Sequence, residues 1–298
     1  MKIAILMHGN AGSTDKFNTG KDVPIELAHR HLKKHILEAN EDHDVDIFMH
    51  SWSTDHEKEL LELYNPTDYI IEPQIIFDFE YSVGNPNKKG NPNDESGLPN
   101  RADFGHYFGF YKGLDNLRFH SMFSKWYSAK IANDLKIKHE EKNGFTYDYV
   151  FLTRYDLAYI VDIKFSEYNK DKFYVIGPDN PGVGYNDLWF FSDSKKMDVF
   201  CKIYDFVKKI KHFPHKHVGN HFLARRWVHE SNLNKNVEFV FNRPWDSHQT
   251  KEDLAAGRDV GPAPPVRRWY ELEELTPQTD MQRVREHILN ISKRTISD

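Results

Sequence analysis

Residues 3–7, Ile-Ala-Ile-Leu-Met, form an unbroken apolar run that stops at His8-Gly9-Asn10-Ala11-Gly12-Ser13. A strand that is apolar at every position needs cover on both faces, which predicts a central strand of a largely parallel sheet. The loop after it then lies at the carboxyl end of that strand. From residue 24 the period changes. Ile25, Ala28, Leu32 and Ile36 fall at helical spacing, with Asp22 placed to cap the helix and Pro24 and Glu26 in its first turn. Val45-Asp46-Ile47-Phe48-Met49 predicts a second strand that ends in His50-Ser51-Trp52. Tyr69-Ile70-Ile71 predicts a third, running on into Ile75-Ile76-Phe77. Strand, helix and strand with short connections is the rhythm of an α/β fold.

Between residues 82 and 104 the chain is rich in Asn, Gly and Pro, so a long, flexible surface loop is expected there. The strongest helix spans residues 114–142, with Asn143-Gly144 as its stop signal. Its expected inner face carries Leu117, Ser121, Ser124, Ser128, Ile131 and Leu135. The three hydroxyls suit either close packing against a neighbour or approach to a polar ligand, with Arg118 and Lys125 nearby to meet negative charge. Further strands are expected over residues 147–153, 173–176, 188–191 and 237–241. Two helices are also expected. One is capped by Ser192 or Asp193 and carries Met197, Phe200, Ile203, Val207 and Ile210, and the other covers residues 218–228. Gly261-Pro262-Ala263-Pro264-Pro265 is a stiff linker, and residues 280–293 have the pattern of an amphipathic helix. The expected organisation is a catalytic domain over residues 1–250 and a linker with a helical extension over residues 251–298.

Composition removes several classes of function. A formal net charge of −5 argues against a protein that coats nucleic acid. Aromatic residues make up 14% of the chain, enough to build a sizeable core, so global disorder is excluded. Cys201 is the single cysteine, which excludes an internal disulfide and a cysteine-based zinc cluster. No apolar run approaches the roughly 20 residues that span a bilayer, and no signal peptide is evident. A soluble, cytoplasmic protein is expected.

Most catalytic signatures fail. Gly20-Lys21 is followed by Asp22, which breaks the P-loop pattern, and Gly9 and Gly12 lack the third glycine of a dinucleotide fingerprint. There is no Gly-x-Ser-x-Gly elbow and no His-Glu-x-x-His element. His29, His31 and His35 share a helix with Lys33 and Lys34 and read as a solvated face, whereas His215, His217 and His221 form a looser candidate metal set. The most informative segment is Phe151-Leu152-Thr153-Arg154-Tyr155-Asp156. It is an aromatic strand that ends in a carboxylate, suited either to holding Mg²⁺ or Mn²⁺ on a phosphate or to pairing with Arg154.

Several ordered pieces of the chain resemble the small nucleotide-sugar glycosyltransferases of the GT-A fold from phage, viral and bacterial surface-glycan gene sets. These pieces are the first strand through Asn10, Asp46 to Trp52, Ser121 to Leu135, Tyr147 to Asp156, and Asn186-Asp187-Leu188-Trp189-Phe190-Phe191-Ser192. The resemblance covers about residues 1–245. It implies a GT-A-like, Rossmann-type mixed sheet flanked by helices, and transfer of a sugar from a nucleoside diphosphate donor, a UDP-sugar, to a glycan hydroxyl. In that family an Asp-x-Asp motif holds Mn²⁺ on the donor diphosphate. Here the triplet is Arg154-Tyr155-Asp156, so only Asp156 matches. The resemblance implies Asp156 and His248 as metal ligands, with His221 competing for the second place. It implies His8, Gly9, Asn10, Trp52, Arg118, Arg154 and Tyr155 around the nucleotide, Trp52 or Tyr155 offering a ring to the uracil. Asp187 is the implied general base. Two other readings remain at this level: a sulfotransferase, from Gly9 to Thr14, and a catalytically silent glycan-binding module, from the aromatic content.

Overall fold

The N-terminal apolar run is a strand covered on both faces. In a computed structural model of the chain, which describes residues 1–12, 25–83, 109–111, 117–157, 159, 162–176, 184–213 and 219–240, strand β1 (Lys2–Gly9) alternates between two cores. Ile3, Ile5 and Met7 enter one, and Ala4 and Leu6 the other. Helix α1 (Ile25–Leu32), strand β2 (Asp44–Ser51), helix α2 (Glu57–Tyr64) and strand β3 (Asp68–Ile71) follow. Two short strands, β4 (Tyr81–Val83) and β5 (Gly109–Tyr111), precede the long helix α3 (Leu117–Asn143). The chain continues through β6 (Tyr149–Arg154), β7 (Phe173–Val175), β8 (Phe190–Ser192), α4 (Ser194–Cys201) and α5 (Ile203–Lys209). It then forms β9 (His212–Phe213), α6 (Asn220–Glu230) and β10 (Val237–Phe239).

Seven strands make one mixed sheet in the order β10-β7-β8-β6-β1-β2-β3. Strand β8 runs antiparallel to both of its neighbours, and every other pairing in this sheet is parallel. Strands β5, β4 and β9 form a separate small sheet. Residues of α1 and α2, among them Ile25, Ala28, Leu32, Leu60 and Tyr64, cover one face of β1, whereas α3 through α6 cover the other. The protein is therefore an α/β fold with helices on both sides of a Rossmann-like sheet. Among the described residues no helix is long and apolar enough to cross a membrane.

The long helix buries part of the expected stripe, Ser124, Ser128 and Leu135, within a broader one. Phe119, Met122, Phe123, Trp126, Ala129, Asn133, Lys136 and Glu140 are buried, while Ser121 is exposed and Ile131 only half-buried. The large aromatic side chains bury more area per residue and so decide which side of the helix faces the sheet. A charge lies inside this stripe. Lys136 Nζ is fully buried and is held by Glu140 Oε2 at 2.9 Å, by Asp198 Oδ1 at 2.7 Å and by the Ser194 hydroxyl, which ties α3 to α4.

Other expectations also change. Residues 72–80 are not a strand: Ile75 and Ile76 are exposed, Phe77 is buried among Trp52, Phe123 and Tyr127, and the half-buried Phe79 packs on Phe123. Ser82 and Val83 belong to β4 rather than to the loop expected from residue 82. The ladder expected from residue 188 begins at Phe190. His31 and His35 are buried rather than solvated, because each anchors the chain beyond β6. His31 Nδ1 bonds the Tyr159 carbonyl at 2.8 Å, and His35 Nδ1 bonds Asp162 Oδ1 at 2.8 Å. The expected cap at Asp22, the rest of the 82–104 loop, and the linker and helical extension lie outside the described residues.

Candidate functional site

The site is built where three parallel strands end together. Register places His8 of β1 beside His50 of β2 on one side and beside Arg154 of β6 on the other. These three continue the rows of Leu6, Phe48 and Leu152, all of which pack in the core under α3. Strict alternation along the strands therefore brings a row of basic side chains to one face of the sheet edge. The chain leaves β1 for β2 and β3 on one side and later returns to β6 on the other. An open α/β sheet offers its ligand crevice at the carboxyl ends of strands around such a reversal.

Helix α3 fixes this edge. Ser128 Oγ accepts the Gly9 N–H at 2.8 Å and bonds His50 Nδ1 at 2.7 Å, so one hydroxyl pins the ends of β1 and β2. Ser124 Oγ donates to Gln74 Oε1 at 2.8 Å. Of the two readings of the helix hydroxyls, close packing describes Ser124 and Ser128. The Gly9 N–H, expected to face a nucleotide, is thereby committed to Ser128. Asn10, the next residue, is exposed. Its loop is laced to the loop after β2, since Ser53 Oγ accepts the Ala11 N–H at 2.9 Å and donates to the Ala11 carbonyl at 2.7 Å.

Two aromatic residues expected to hold a base are otherwise engaged. Trp52 is buried, with its ring stacked on Tyr127 at 5.4 Å and edge-on to His50 at 4.5 Å. Tyr155 has the opposite parity from Arg154 and turns into the core under α1 and α2. There it meets Tyr64 edge-on at 5.7 Å, and its hydroxyl donates to the His50 carbonyl at 3.2 Å. The structure thus makes Tyr155 a core residue.

Asp187 lies in the segment that leads into β8 and is only 3% exposed. Lys125 of α3 forms an ion pair with its Oδ2 and donates to its backbone carbonyl at 2.5 Å. His221 Nδ1, from the first turn of α6, lies 3.0 Å from Asp187 Oδ1 and 2.9 Å from the Tyr185 carbonyl. Burial pulls the His221 pKa down, but the hydrogen bond and the charge of Asp187 outweigh it and raise the value above its usual one. His8 shows the reverse. Burial, followed by the charges of Lys125 and Arg154, pushes its pKa well down, so it is a neutral imidazole among cations. Its Nδ1 is buried with no hydrogen-bond partner among the described residues. Burial likewise lowers His50, against the opposing pull of Glu72.

Arg154 and Asp156 form a forked pair. Arg154 Nε donates to Asp156 Oδ1 at 2.7 Å, and Nη2 donates to Oδ2. Both oxygens of the carboxylate expected to bind a metal are therefore taken by a guanidinium. Among the described residues no three His, Cys, Asp or Glu side chains converge as a metal site. His248 lies outside the described residues, as does the side chain of Arg118, which stands in the first turn of α3.

The structure thus gathers His8, Arg154, Asp156 and Asp187 along one sheet edge together with Lys125 and Ser128, and sets His221, expected as a competing metal ligand, against Asp187. Sequence spacing marked Ser128 and Lys125 on a helix and His221 in a histidine-rich stretch. The common target of Lys125 and His221, Asp187, is a tertiary contact that no spacing displays. Neither the protein-family models nor the curated protein sequences give a match to this chain.

Proposed function

We propose that the protein is a GT-A-like glycosyltransferase that moves a sugar from a nucleoside diphosphate donor, a UDP-sugar, to a hydroxyl of a glycan acceptor. The observation that carries this reading is the buried Asp187, held by Lys125 and His221 at the carboxyl edge where Arg154 and His8 also stand. Sugar transfer from a diphosphate needs two things at one place. It needs positive charge where the departing diphosphate gains its negative charge, and a proton acceptor beside the incoming hydroxyl. Arg154 and Lys125 supply the first, and the Asp187–His221 pair supplies the second. The acceptor oxygen bonds to the anomeric carbon as the bond from that carbon to the diphosphate oxygen breaks. The acceptor's proton passes to the Asp187–His221 pair, and the electron pair of the broken bond leaves with the diphosphate. The mixed sheet, with one antiparallel strand among parallel ones, supports the GT-A-like form of the fold.

Thermal unfolding with UDP, GDP, CMP and adenosine 3′,5′-bisphosphate tests the reading. UDP is expected to raise the midpoint, with a stabilisation of about 2.7 kcal/mol at a hundredfold excess over its dissociation constant. A shift with adenosine bisphosphate alone favours a sulfotransferase. No shift with any nucleotide overturns the proposal.

A further inference from the structure

We infer that Asp156 acts as the orienter of Arg154, and that Arg154 in turn receives the donor's diphosphate without a divalent cation. This rests on the glycosyltransferase reading above and specifies how its site meets the phosphate charge. The argument starts from donor arithmetic. A guanidinium has five N–H donors in a planar fork, and Asp156 uses two of them, on Nε and Nη2. Three donors remain on a group whose plane is already fixed, which suits the oxygens of a phosphate. Arg154 is the last residue of β6, so its backbone is held in the sheet, and its side chain is 23% exposed at the edge. Beside it in register stands His8, buried, neutral and with an unpartnered Nδ1, an arrangement that is completed by a ligand atom.

A metal at the same place meets obstacles of equal weight. Mg²⁺ and Mn²⁺ take several oxygen ligands. Asp156 offers a carboxylate whose two oxygens are each bonded to a guanidinium, and among the described residues no three acidic, histidine or cysteine side chains gather into a set that could hold an ion. An ion bound there would also stand against the fixed positive charge of Arg154. The expected order of contacts, carboxylate to metal to phosphate, becomes carboxylate to guanidinium to phosphate.

The experiment is a calorimetric titration of the full chain with UDP and with GDP, each in excess EDTA and again with Mn²⁺. Affinity is expected to be the same in the two conditions within about twofold, or weaker with Mn²⁺, which competes with Arg154 for the phosphate oxygens. Arg154→Ala is expected to weaken nucleotide binding roughly tenfold or more, the loss of a charge-assisted contact. Asp156→Ala is expected to weaken it less, and to add no further loss in the Arg154→Ala background, because Asp156 works through Arg154. Unfolding midpoints without nucleotide establish that each variant is folded, and the wild-type comparison stands by itself if one is not. Binding that tightens tenfold with Mn²⁺ and disappears in EDTA overturns the inference while leaving the glycosyltransferase intact. Absence of binding by either nucleotide in both conditions overturns the glycosyltransferase and this inference with it.

Discussion

At the scale of single residues, the least forgiving feature is the Lys125–Asp187 pair. Lys125 is 9% exposed along its side chain and Asp187 3%, so removing one partner strands a charge away from water. Asp187→Asn is expected to cost about 3 kcal/mol in urea-induced unfolding. The double variant Lys125→Met with Asp187→Leu should recover much of that loss, because it removes both charges together. A double variant no more stable than Asp187→Asn would show that the pair is not the source of the cost. The same change has a second, local consequence. The His221 pKa is lowered by burial and raised by Asp187, with the second effect dominant. Without the carboxylate, burial and the charge of Lys125 lower the value and only the bond to the Tyr185 carbonyl, the smallest influence, still raises it, so in Asp187→Asn the imidazole should titrate below its ordinary value of about 6.5 instead of above it. Nuclear magnetic resonance of the ring protons reads this directly. An unchanged titration would remove Asp187 as the group that sets His221.

At the scale of elements, the site depends on how closely the segment before β8 lies against α6. Gly184 has φ +96°, and a Cβ built on it would strike the backbone carbonyl of His221 and stand 2.6 Å from Phe222 N. Backbone cannot swing aside as a flexible side chain can. Gly184→Ala should therefore push the first turn of α6 outward and cost about 3 kcal/mol, from strain and overpacking together. Its His221 titration should move toward that of Asp187→Asn, and a variant of wild-type stability would contradict the close approach. Such contacts also mark how far the sequence could be read. Strands β1, β2, β6 and β7 and helix α3 were legible because their apolar patterns are long or uninterrupted. His8 and Arg154 were read as site residues from their strand ends, but their alignment with His50 in one row comes from the parallel register of β1, β2 and β6. Three things were not legible. Parity sends Tyr155 to the far face, which depends on where β6 ends. The loop beyond β6 calls His31 and His35 inward through a carbonyl and a carboxylate some 130 positions away in sequence. Asp156 turns back on Arg154, a choice between two partners that the triplet alone leaves open.

At the scale of the whole molecule, the histidines decide how stability responds to acid. His8, His29, His35 and His50 all have pKa values lowered first by burial. The unfolded chain binds protons at these positions below about pH 6.5, while the folded protein resists them. Their contribution to stability is therefore present above that value and is lost as pH falls toward the folded values. His221 runs the other way. With its folded value raised, its contribution is full below about pH 6.5 and is lost as pH rises through that folded value. Two of the lowered group, His8 and His50, are almost wholly buried, against one raised histidine that is partly exposed. The balance predicts that unfolding free energy falls between about pH 7 and pH 5, by up to ~1.4 kcal/mol per pH unit for each histidine kept neutral. Urea unfolding across that range measures the slope, and His8→Gln isolates one share of it, since glutamine does not titrate. The variant should lose stability less steeply with acid than the wild type. Parallel pH profiles for the two proteins would mean that His8 takes up its proton in the folded state as readily as in the unfolded chain, so that burial does not hold it neutral.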